Sequence, residues 1–418
     1  MIDYIKKYLP FLLPLLLIFS RSAADITIVL VSIIFLYHSH QSNCWQWIKE
    51  KWFFWALIFF VYCLTINSFV SINSVESFVY SLFFIRWPIF AMALAYWIFS
   101  DLKSLKNFFL SLVIVLTFLV FDTWWQFFFD YDIFGFEQYS GSRLTGPFKD
   151  NPHIGAWIAK LIVLPPLFLI LCDEIKIQKQ KNYFSYLFFI TSTILFLTVF
   201  ITGERMALLL TLAYIFIILI GLVADKIFSL RKTSVLIVFS LSLVIIFSYF
   251  FPETTQRAFY STIHKILNWR TSDYGLVWQS AYDVWLQSPI FGNGLHMYRD
   301  ACDLLINGPL TLNLAQGKCG MHPHNISLQL LSETGVVGFI LFYLMIFSLA
   351  VGVLKLYFVK KLWLSFALSF GIIFTCFLPI ASSTSFFANK YGAIIWMLVG
   401  VMLATNKIFM KEKFPNHK

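Results

Sequence analysis

Two histidines and an asparagine stand together at one place in the chain. The segment Met321-His322-Pro323-His324-Asn325 opens an apolar stretch that also contains Gln329 and Glu333. Asn325, Gln329 and Glu333 are spaced by four residues, so a helix places them on one polar stripe. A histidine can act as a general base near neutral pH, and a polar stripe that enters a bilayer needs a cavity or a partner helix. The same segment also suits a helix cap without chemistry.

Arginines form the second signal. Arg205 ends the turn Thr202-Gly203-Glu204-Arg205 between two apolar stretches, where it could bind a phosphate or pair with Glu204. Arg143 and Lys149 precede a predicted helix start, at which Asn151 could cap and Pro152 could occupy the first turn. Because a helix N-terminus attracts anions, the segment with Arg143 and Lys149 is also a candidate phosphate site, although it suits a plain loop before a capped helix as well.

A further candidate group lies between residues 252 and 324. Trp269, Arg270 and Trp278 could stack on sugars and bind phosphate, or could simply pack together. Cys302 and Cys319 share this segment, and in an oxidising compartment they could form a disulfide worth about 3 kcal/mol, or remain free thiols. The cysteines form no metal-binding CxxC pattern.

The elements that position these residues are membrane helices. The 418 residues are 59% hydrophobic and only 12% charged, with a mean hydropathy of +0.78. The apolar residues come in long blocks, and about 20 residues cross a bilayer as a helix. The net charge of +10 resides mostly in short loops, so we attribute it to membrane orientation and expect no nucleic-acid partner.

The sequence predicts an all-α polytopic membrane protein with about twelve transmembrane helices and a large helical outer loop. The first two spans are short and could form a tight hairpin or one broken helix. The predicted spans are 8–20, 25–38, 53–70, 77–99, 107–126, 153–172, 184–200, 206–223, 234–251, 325–352, 362–379 and 391–406.

The distribution of basic residues orients these spans. With both termini in the cytoplasm, the cytoplasmic segments hold 19 of the 31 Lys and Arg, as the positive-inside rule requires. Six of the eight arginines nevertheless fall outside, which favours a phosphate-bearing ligand there, although arginines also contact lipid headgroups. We expect a membrane bundle at 1–251 of about nine helices with an outer loop at 127–152, a loop lobe at 252–324, and C-terminal helices with a cytoplasmic tail at 325–418.

The motifs occur in a characteristic order. Arg143-x-x-Gly146-x-Phe148-x-x-Asn151-Pro152 is followed by Thr202-Gly203-x-Arg205-x-Ala207, then by Ser288-Pro-x-Phe-Gly292-x-Gly294, and finally by His322-Pro-His324-Asn325 and Glu333-x-Gly335. This order resembles the O-antigen ligase and O-antigen polymerase superfamily over residues 140–340, with the ligases closest.

The resemblance implies a bacterial inner-membrane glycosyltransferase with a periplasmic active site and with neither nucleotide nor metal cofactor. It would move an O-antigen glycan from undecaprenyl diphosphate to a sugar hydroxyl of lipid A–core. His324 would be the general base, and Arg205 and Arg143 would stabilise the leaving diphosphate. We expect Lys149, Arg270, His322, Asn325 and Glu333 to help bind the substrates. Many relatives have an arginine where Tyr274 stands here, so Arg270, one turn earlier, is the candidate substitute.

Two alternatives remain. An O-antigen polymerase performs the same reaction with a second lipid-linked glycan as acceptor. A twelve-helix lipid or glycan transporter would do no bond chemistry, but it would place its charges near the bilayer midplane rather than at the outer rim.

Overall fold

The computed structural model describes residues 2–139, 143–149, 151–172, 181–307, 319–320, 322–360, 363–381 and 384–413. Within these ranges the chain is helical, and its only β contacts are two isolated bridges, Tyr131 with Glu137 and Tyr139 with Arg143. The protein is a polytopic all-α membrane protein, as the apolar blocks predict.

The first part of the chain forms nine helices of the bundle. They are α1 (Ile2–Phe19), α2 (Arg21–Gln41), α3 (Lys51–Asn67), α4 (Ser74–Ile98), α5 (Leu102–Phe129), α6 (Ile154–Leu171), α7 (Lys181–Ile201), α8 (Arg205–Ala224) and α9 (Leu230–Phe250).

The rest of the chain forms a helical lobe and three further bundle helices. The lobe begins with the short segments Pro252–Thr255, Gln256–Tyr260 and Ser261–Leu267, and continues with α10 (Asp273–Gln287) and α11 (Tyr298–Asn307). The bundle resumes with α12 (Ile326–Lys360), α13 (Trp363–Phe377) and α14 (Asn389–Lys413).

Nine helices in the described residues are long and apolar enough to cross a membrane. Two further predicted spans fall on the shorter apolar helices α3 and α13, and the first falls on α1, which contains Pro10 and Pro14. α1 and α2 are separate helices that contact each other, because the extended backbone of Ser20 interrupts the helical run and its side chain caps α2.

Packing separates the interior of the bundle from its lipid-facing surface. α3 packs against α12, α1 against α5, and α8 against α13. By contrast, only 6% of the apolar window of α9 is buried although its mean hydropathy is 2.3. Apolar surface of this kind is stable only against lipid or a partner, which fits a helix at the edge of a membrane bundle.

The lobe is fixed to the bundle where α12 departs from helical geometry. Gly335 has φ 63° and ψ −173°, a conformation essentially restricted to glycine. This break exposes backbone groups to which residues 289–294 bind: the Gly294 N–H donates to Glu333 O at 2.9 Å, and the Val336 N–H to Pro289 O at 2.9 Å. A Cβ on Gly292 or Gly335 would collide with the opposing backbone. The Ser288–Gly294 motif therefore docks the lobe on α12.

Candidate active site

The loop that holds Arg143 is positioned by one side chain of α5. The Gln126 Oε1 atom accepts hydrogen bonds from the backbone N–H groups of Thr145 (2.8 Å) and Gly146 (2.9 Å), and its Nε2 donates to Thr145 Oγ1 at 2.9 Å. Arg143 in turn donates from Nη2 to the carbonyl oxygen of Pro152 at 2.8 Å. The guanidinium is thus attached to the backbone just before α6.

The start of α6 differs from the sequence-based expectation. The helix begins at Ile154, so His153 rather than Asn151 occupies the N-cap position, and it makes no side-chain capping bond. The cap comes from elsewhere in the chain, because Glu204 Oε1 accepts a hydrogen bond from Gly155 N at 2.7 Å. Burial raises the pKa of the Glu204 carboxyl to about 7, although Arg143 and the α6 backbone N–H groups oppose the shift.

The short turn before α8 joins Arg205 to the lobe. Gly203 has a φ of 69°, which lets the chain reverse between α7 and α8. Arg205 Nε donates to the carbonyl oxygen of Arg257 at 3.1 Å, and Arg257 Nε donates to the carbonyl oxygen of Gly203 at 3.1 Å. This reciprocal pair of bonds holds two guanidinium groups side by side.

The histidine pair lies just before α12. The His322 Nε2 and His324 Nδ1 atoms are 3.1 Å apart, and the ring of Tyr274 meets that of His324 edge-on at a centroid distance of 5.6 Å. His324 has a φ of 53°, a backbone conformation that is uncommon for a non-glycine residue. Asn325 caps the following helix by accepting from Leu328 N at 3.1 Å.

These three segments meet in one cavity of about 370 Å³, here called the arginine cavity. Its wall presents a cluster of basic side chains around the histidine. The basic and histidine side chains that line it are Arg143, Arg205, Arg257, Lys265, His153 and His324.

The electrostatics of the arginine cavity favour an anion. Burial lowers the pKa of Arg257 to about 10, and the positive charges of Arg143 and Arg205 act in the same direction. Burial likewise lowers the pKa of His153 to about 4, so this residue is neutral at pH 7. Among the described residues, neither Arg143 nor Arg205 is in an ion pair. Like charges gathered in this way are stabilised by a ligand of opposite charge.

The structure brings together only some of the residues singled out by sequence. Arg143, Arg205 and His324 line the arginine cavity, and His322 contacts His324. Arg270 does not line it: it lies exposed on the turn Trp269–Thr271.

Lys149 also lies outside the arginine cavity. Its ammonium is 5.9 Å from the ring centroid of Phe136, and its backbone has a φ of 56°. A role of Lys149 and Arg270 in substrate binding therefore stays a prediction.

The polar stripe of α12 has a structural role. Gln329 Nε2 donates to Glu333 Oε1 at 3.0 Å, and Gln329 Oε1 accepts from Phe386 N at 3.0 Å. Glu333 Oε2 accepts from His296 N at 2.9 Å. These bonds hold the lobe and the segment just before α14 to α12, and Asn325 caps the first turn of α12 itself. Asn325 and Glu333 do not line the arginine cavity, and their role in substrate binding stays a prediction.

Arg257, Lys265 and His153 were not among the residues predicted from sequence. Arg257 is one of the six arginines that the predicted topology places outside. This excess of outer arginines is the sequence feature that points to it. The resemblance instead predicts Arg270, one turn before Tyr274, as the large-loop arginine. Tyr274 itself lines the arginine cavity, whereas the arginine charge comes from residue 257, in a segment that packs beside Gly203.

The lobe has its own small core and a covalent link. Ala281, Val284, Tyr298 and Leu305 pack together. The Cys302 and Cys319 sulfur atoms form a disulfide across this core, with Cα atoms 5.8 Å apart. Because Cys319 is close in sequence to the histidine pair, the disulfide attaches the segment before α12 to α11.

The fold and site define a polytopic helical membrane protein with a cationic, histidine-containing cavity at one end of its bundle. Among the described residues, no group of three or more His, Cys, Asp or Glu side chains could hold a metal ion. The family described as O-Antigen ligase matches the chain over residues 190–343, which confirms the resemblance to the O-antigen ligase superfamily. That range includes Arg205, Arg257, His324 and the Gly335 break. No curated protein matches the chain.

Proposed function

We propose that this protein is an O-antigen ligase. It transfers a glycan from undecaprenyl diphosphate to a sugar hydroxyl of lipid A–core, at the periplasmic face of the bacterial inner membrane and without a metal ion. The observation on which this proposal rests is the arginine cavity, in which three arginines surround a space that also contacts His324.

The arginines suit a diphosphate leaving group. A glycosyl diphosphate has one negative charge on each phosphate, and a further charge develops as the bond between the sugar C1 and the phosphate oxygen breaks. That electron pair goes to the diphosphate oxygen, so Arg143, Arg205 and Arg257 stabilise the transition state more than the bound substrate. Guanidinium groups can donate two parallel hydrogen bonds to one phosphate, which also orients the donor.

His324 suits the acceptor side of the reaction. The acceptor hydroxyl oxygen forms the new bond to C1, and its proton goes to a nitrogen of His324. For Nε2 to accept that proton, the neutral ring must hold its own proton on Nδ1, where it donates to His322 Nε2 at 3.1 Å. His322 thus acts as a positioning residue that selects the tautomer in which His324 is a base.

The experiment is complementation of a strain that lacks its ligase gene, read by lipopolysaccharide gel and by transfer with purified protein. Wild-type protein and the control His264→Ala, which changes an exposed histidine of the lobe, should restore long-chain lipopolysaccharide. His324→Ala should leave bare core, with polymer accumulating on the lipid carrier.

Other outcomes distinguish the alternatives. If loss of the protein leaves core with a single repeat unit, the protein is a polymerase. If purified protein moves the lipid-linked glycan across vesicles without forming a new bond, it is a transporter. Full transfer by His324→Ala would rule out the assigned base.

A further inference from the structure

A second cavity of about 370 Å³ lies beside the arginine cavity, and His153 lines both. Its basic side chains come from three different helices: Arg21 begins α2, Lys160 lies on α6, and Lys390 lies near the start of α14. We call it the lysine cavity. The proposed transfer reaction as described above makes no use of these residues.

The two lysines are held by aromatic rings. Lys160 is only 3% exposed, and its ammonium is 4.4 Å from the ring centroid of Tyr391. The Lys390 ammonium lies 3.7 Å from the centroid of Phe148 and 4.8 Å from that of Trp157. Such contacts stabilise a cation without neutralising it.

The carboxylate of Asp25, which also lines the lysine cavity, is already engaged. Its Oδ1 atom is 3.3 Å from Arg86 Nη2, and its Oδ2 accepts from Asn389 Nδ2 at 2.7 Å. In the described part of the chain, Arg21, Lys160 and Lys390 are in no ion pair. Glu204 acts on Lys160 electrostatically but forms no ion pair with it in the described residues. The cavity therefore has an excess of basic side chains, and an anion would offset that charge.

Two further aromatic side chains line the lysine cavity, Tyr80 and His296. The rings of Tyr80 and His296 stack at a centroid distance of 3.8 Å and an interplanar angle of 12°. The His296 backbone N–H donates to Glu333, so this part of the wall is fixed to the same side chains that dock the lobe. Aromatic walls with a few fixed polar groups are typical of small-ligand pockets, and the C–H face of a sugar can pack on such rings.

We propose that the lysine cavity binds an anionic sugar, one that has a phosphate or a carboxylate group, within one of the two glycan substrates. The proposal rests on the proposed glycosyl transfer, because the shared residue His153 places the bound sugar next to the reacting groups. Lys390 and Lys160 contact the anion, and Tyr80 and His296 pack against the ring.

Binding can be measured without turnover. Glucuronate, glucose 6-phosphate and uncharged glucose are titrated against the purified full-length protein in neutral detergent, by calorimetry or ligand-observed NMR. We expect the two anionic sugars to bind wild-type protein more tightly than glucose. Lys390→Met should weaken their binding at least tenfold, and Lys390→Arg should retain most of it.

The matched control is Lys407→Met. The Lys407 ammonium also lies over an aromatic ring, 3.5 Å from the centroid of Tyr96. Unlike Lys390, however, Lys407 is near the far end of α14. This variant should bind like wild type. The proposal is overturned if glucose binds as well as the anions, or if Arg205→Ala removes their binding and Lys390→Met does not.

Transfer assays then identify which substrate has the anionic sugar. Intact and dephosphorylated lipid A–core are compared as acceptors, at saturating donor. If Lys390→Met raises the KM about tenfold for intact acceptor only, and leaves kcat unchanged, the anion belongs to the acceptor. If it raises the KM for a donor with an acidic glycan instead, the anion belongs to the donor.

An unchanged KM for both substrates contradicts the proposal. If wild-type protein transfers nothing, the proposed function fails, and the binding titration still decides whether the lysine cavity takes an anionic sugar.

Discussion

The arginine cavity and the polar stripe of α12 begin at neighbouring residues, His324 and Asn325, and they use polar side chains in opposite ways. In the cavity, Arg143 and Arg205 direct basic groups at open space and are in no ion pair within the described residues. In the stripe, Gln329 and Glu333 are buried and bonded to protein groups. The first arrangement suits a charged ligand, whereas the second suits a scaffold.

The difference shows what a polar residue at a membrane boundary can mean. Burying such a residue costs free energy unless it has partners, so its partners reveal its role. Where the protein supplies them, as Phe386 and His296 do for the stripe, the residue joins segments of the chain. Where it does not, the ligand is expected to supply them. Substitutions in the cavity should therefore affect transfer, and those in the stripe should affect folding.

The largest effect is expected at Arg205. Arg205→Ala removes one of the groups that we propose to stabilise the leaving diphosphate, and loss of such a group typically lowers kcat by about 10²–10³. Arg205→Lys keeps the charge but loses the paired donors, so its kcat should lie between those of the wild-type protein and Arg205→Ala. Transfer is measured per folded protein, with thermal unfolding in detergent as the control. Near-normal transfer by Arg205→Ala would contradict the view that the arginine cavity serves the ligand whereas the polar stripe serves folding.

The next effect separates two arginines of the lobe. Arg257 lines the arginine cavity, and Arg270 is exposed outside it. Arg257→Ala should lower kcat/KM for the lipid-linked donor about 10- to 100-fold, which corresponds to about 1.4–2.8 kcal/mol. Arg270→Ala should change it by less than about twofold, as for most surface substitutions. The reverse result would restore the expectation based on sequence.

The sequence predicts much of the fold, because apolar blocks are sufficient to locate membrane helices. It also identifies Arg143, Arg205 and His324, since each stands at the boundary of an apolar block. It does not show that Glu333 binds the His296 backbone, because that bond joins segments far apart in the chain. Spacing by four residues puts side chains on one helical face, but it does not show whether that face meets a cavity or a docked loop.

The position of Arg257 could not be derived from sequence for a related reason. It depends on two hydrogen bonds to backbone carbonyls, from Arg257 Nε to Gly203 O and from Arg205 Nε to Arg257 O. Those bonds need the lobe to fold back on the α7–α8 turn. Backbone carbonyls are present at every residue, so they leave no trace in the pattern of side chains. The excess of arginines outside indicates only the type of ligand.

A smaller effect is expected in the stripe. Glu333→Gln keeps the shape of the side chain but replaces one acceptor oxygen with an amide N–H₂ group. Either the His296 N–H or the Gln329 amide then loses its acceptor. An unsatisfied buried group costs about 1–3 kcal/mol, so the midpoint of thermal unfolding should fall, while kcat per folded protein stays within about twofold. Asp303→Asn is the control, because the Asp303 carboxylate is 51% exposed and its ion pair with Arg299 is weak. A large loss of kcat with unchanged unfolding would make Glu333 a site residue after all.

The smallest effect concerns Glu204, which belongs partly to both arrangements: its carboxylate caps α6, and it also lines the arginine cavity. Burial raises its pKa to about 7, so the group changes from mostly neutral to mostly anionic between about pH 6 and 8.

The anionic form of Glu204 opposes a bound diphosphate, whereas the neutral form does not, and both charges of a glycosyl diphosphate are already present at pH 6. We therefore expect the equilibrium Kd of the lipid-linked donor to rise about three- to tenfold across this range, which corresponds to about 0.6–1.4 kcal/mol. Glu204→Gln retains an oxygen to accept from Gly155 N, and its Kd should vary less with pH than that of the wild-type protein. His153, with a pKa of about 4, stays neutral throughout and contributes nothing to the change. A Kd that falls as the pH rises, or an equal dependence in Glu204→Gln, would show that Glu204 serves only the scaffold.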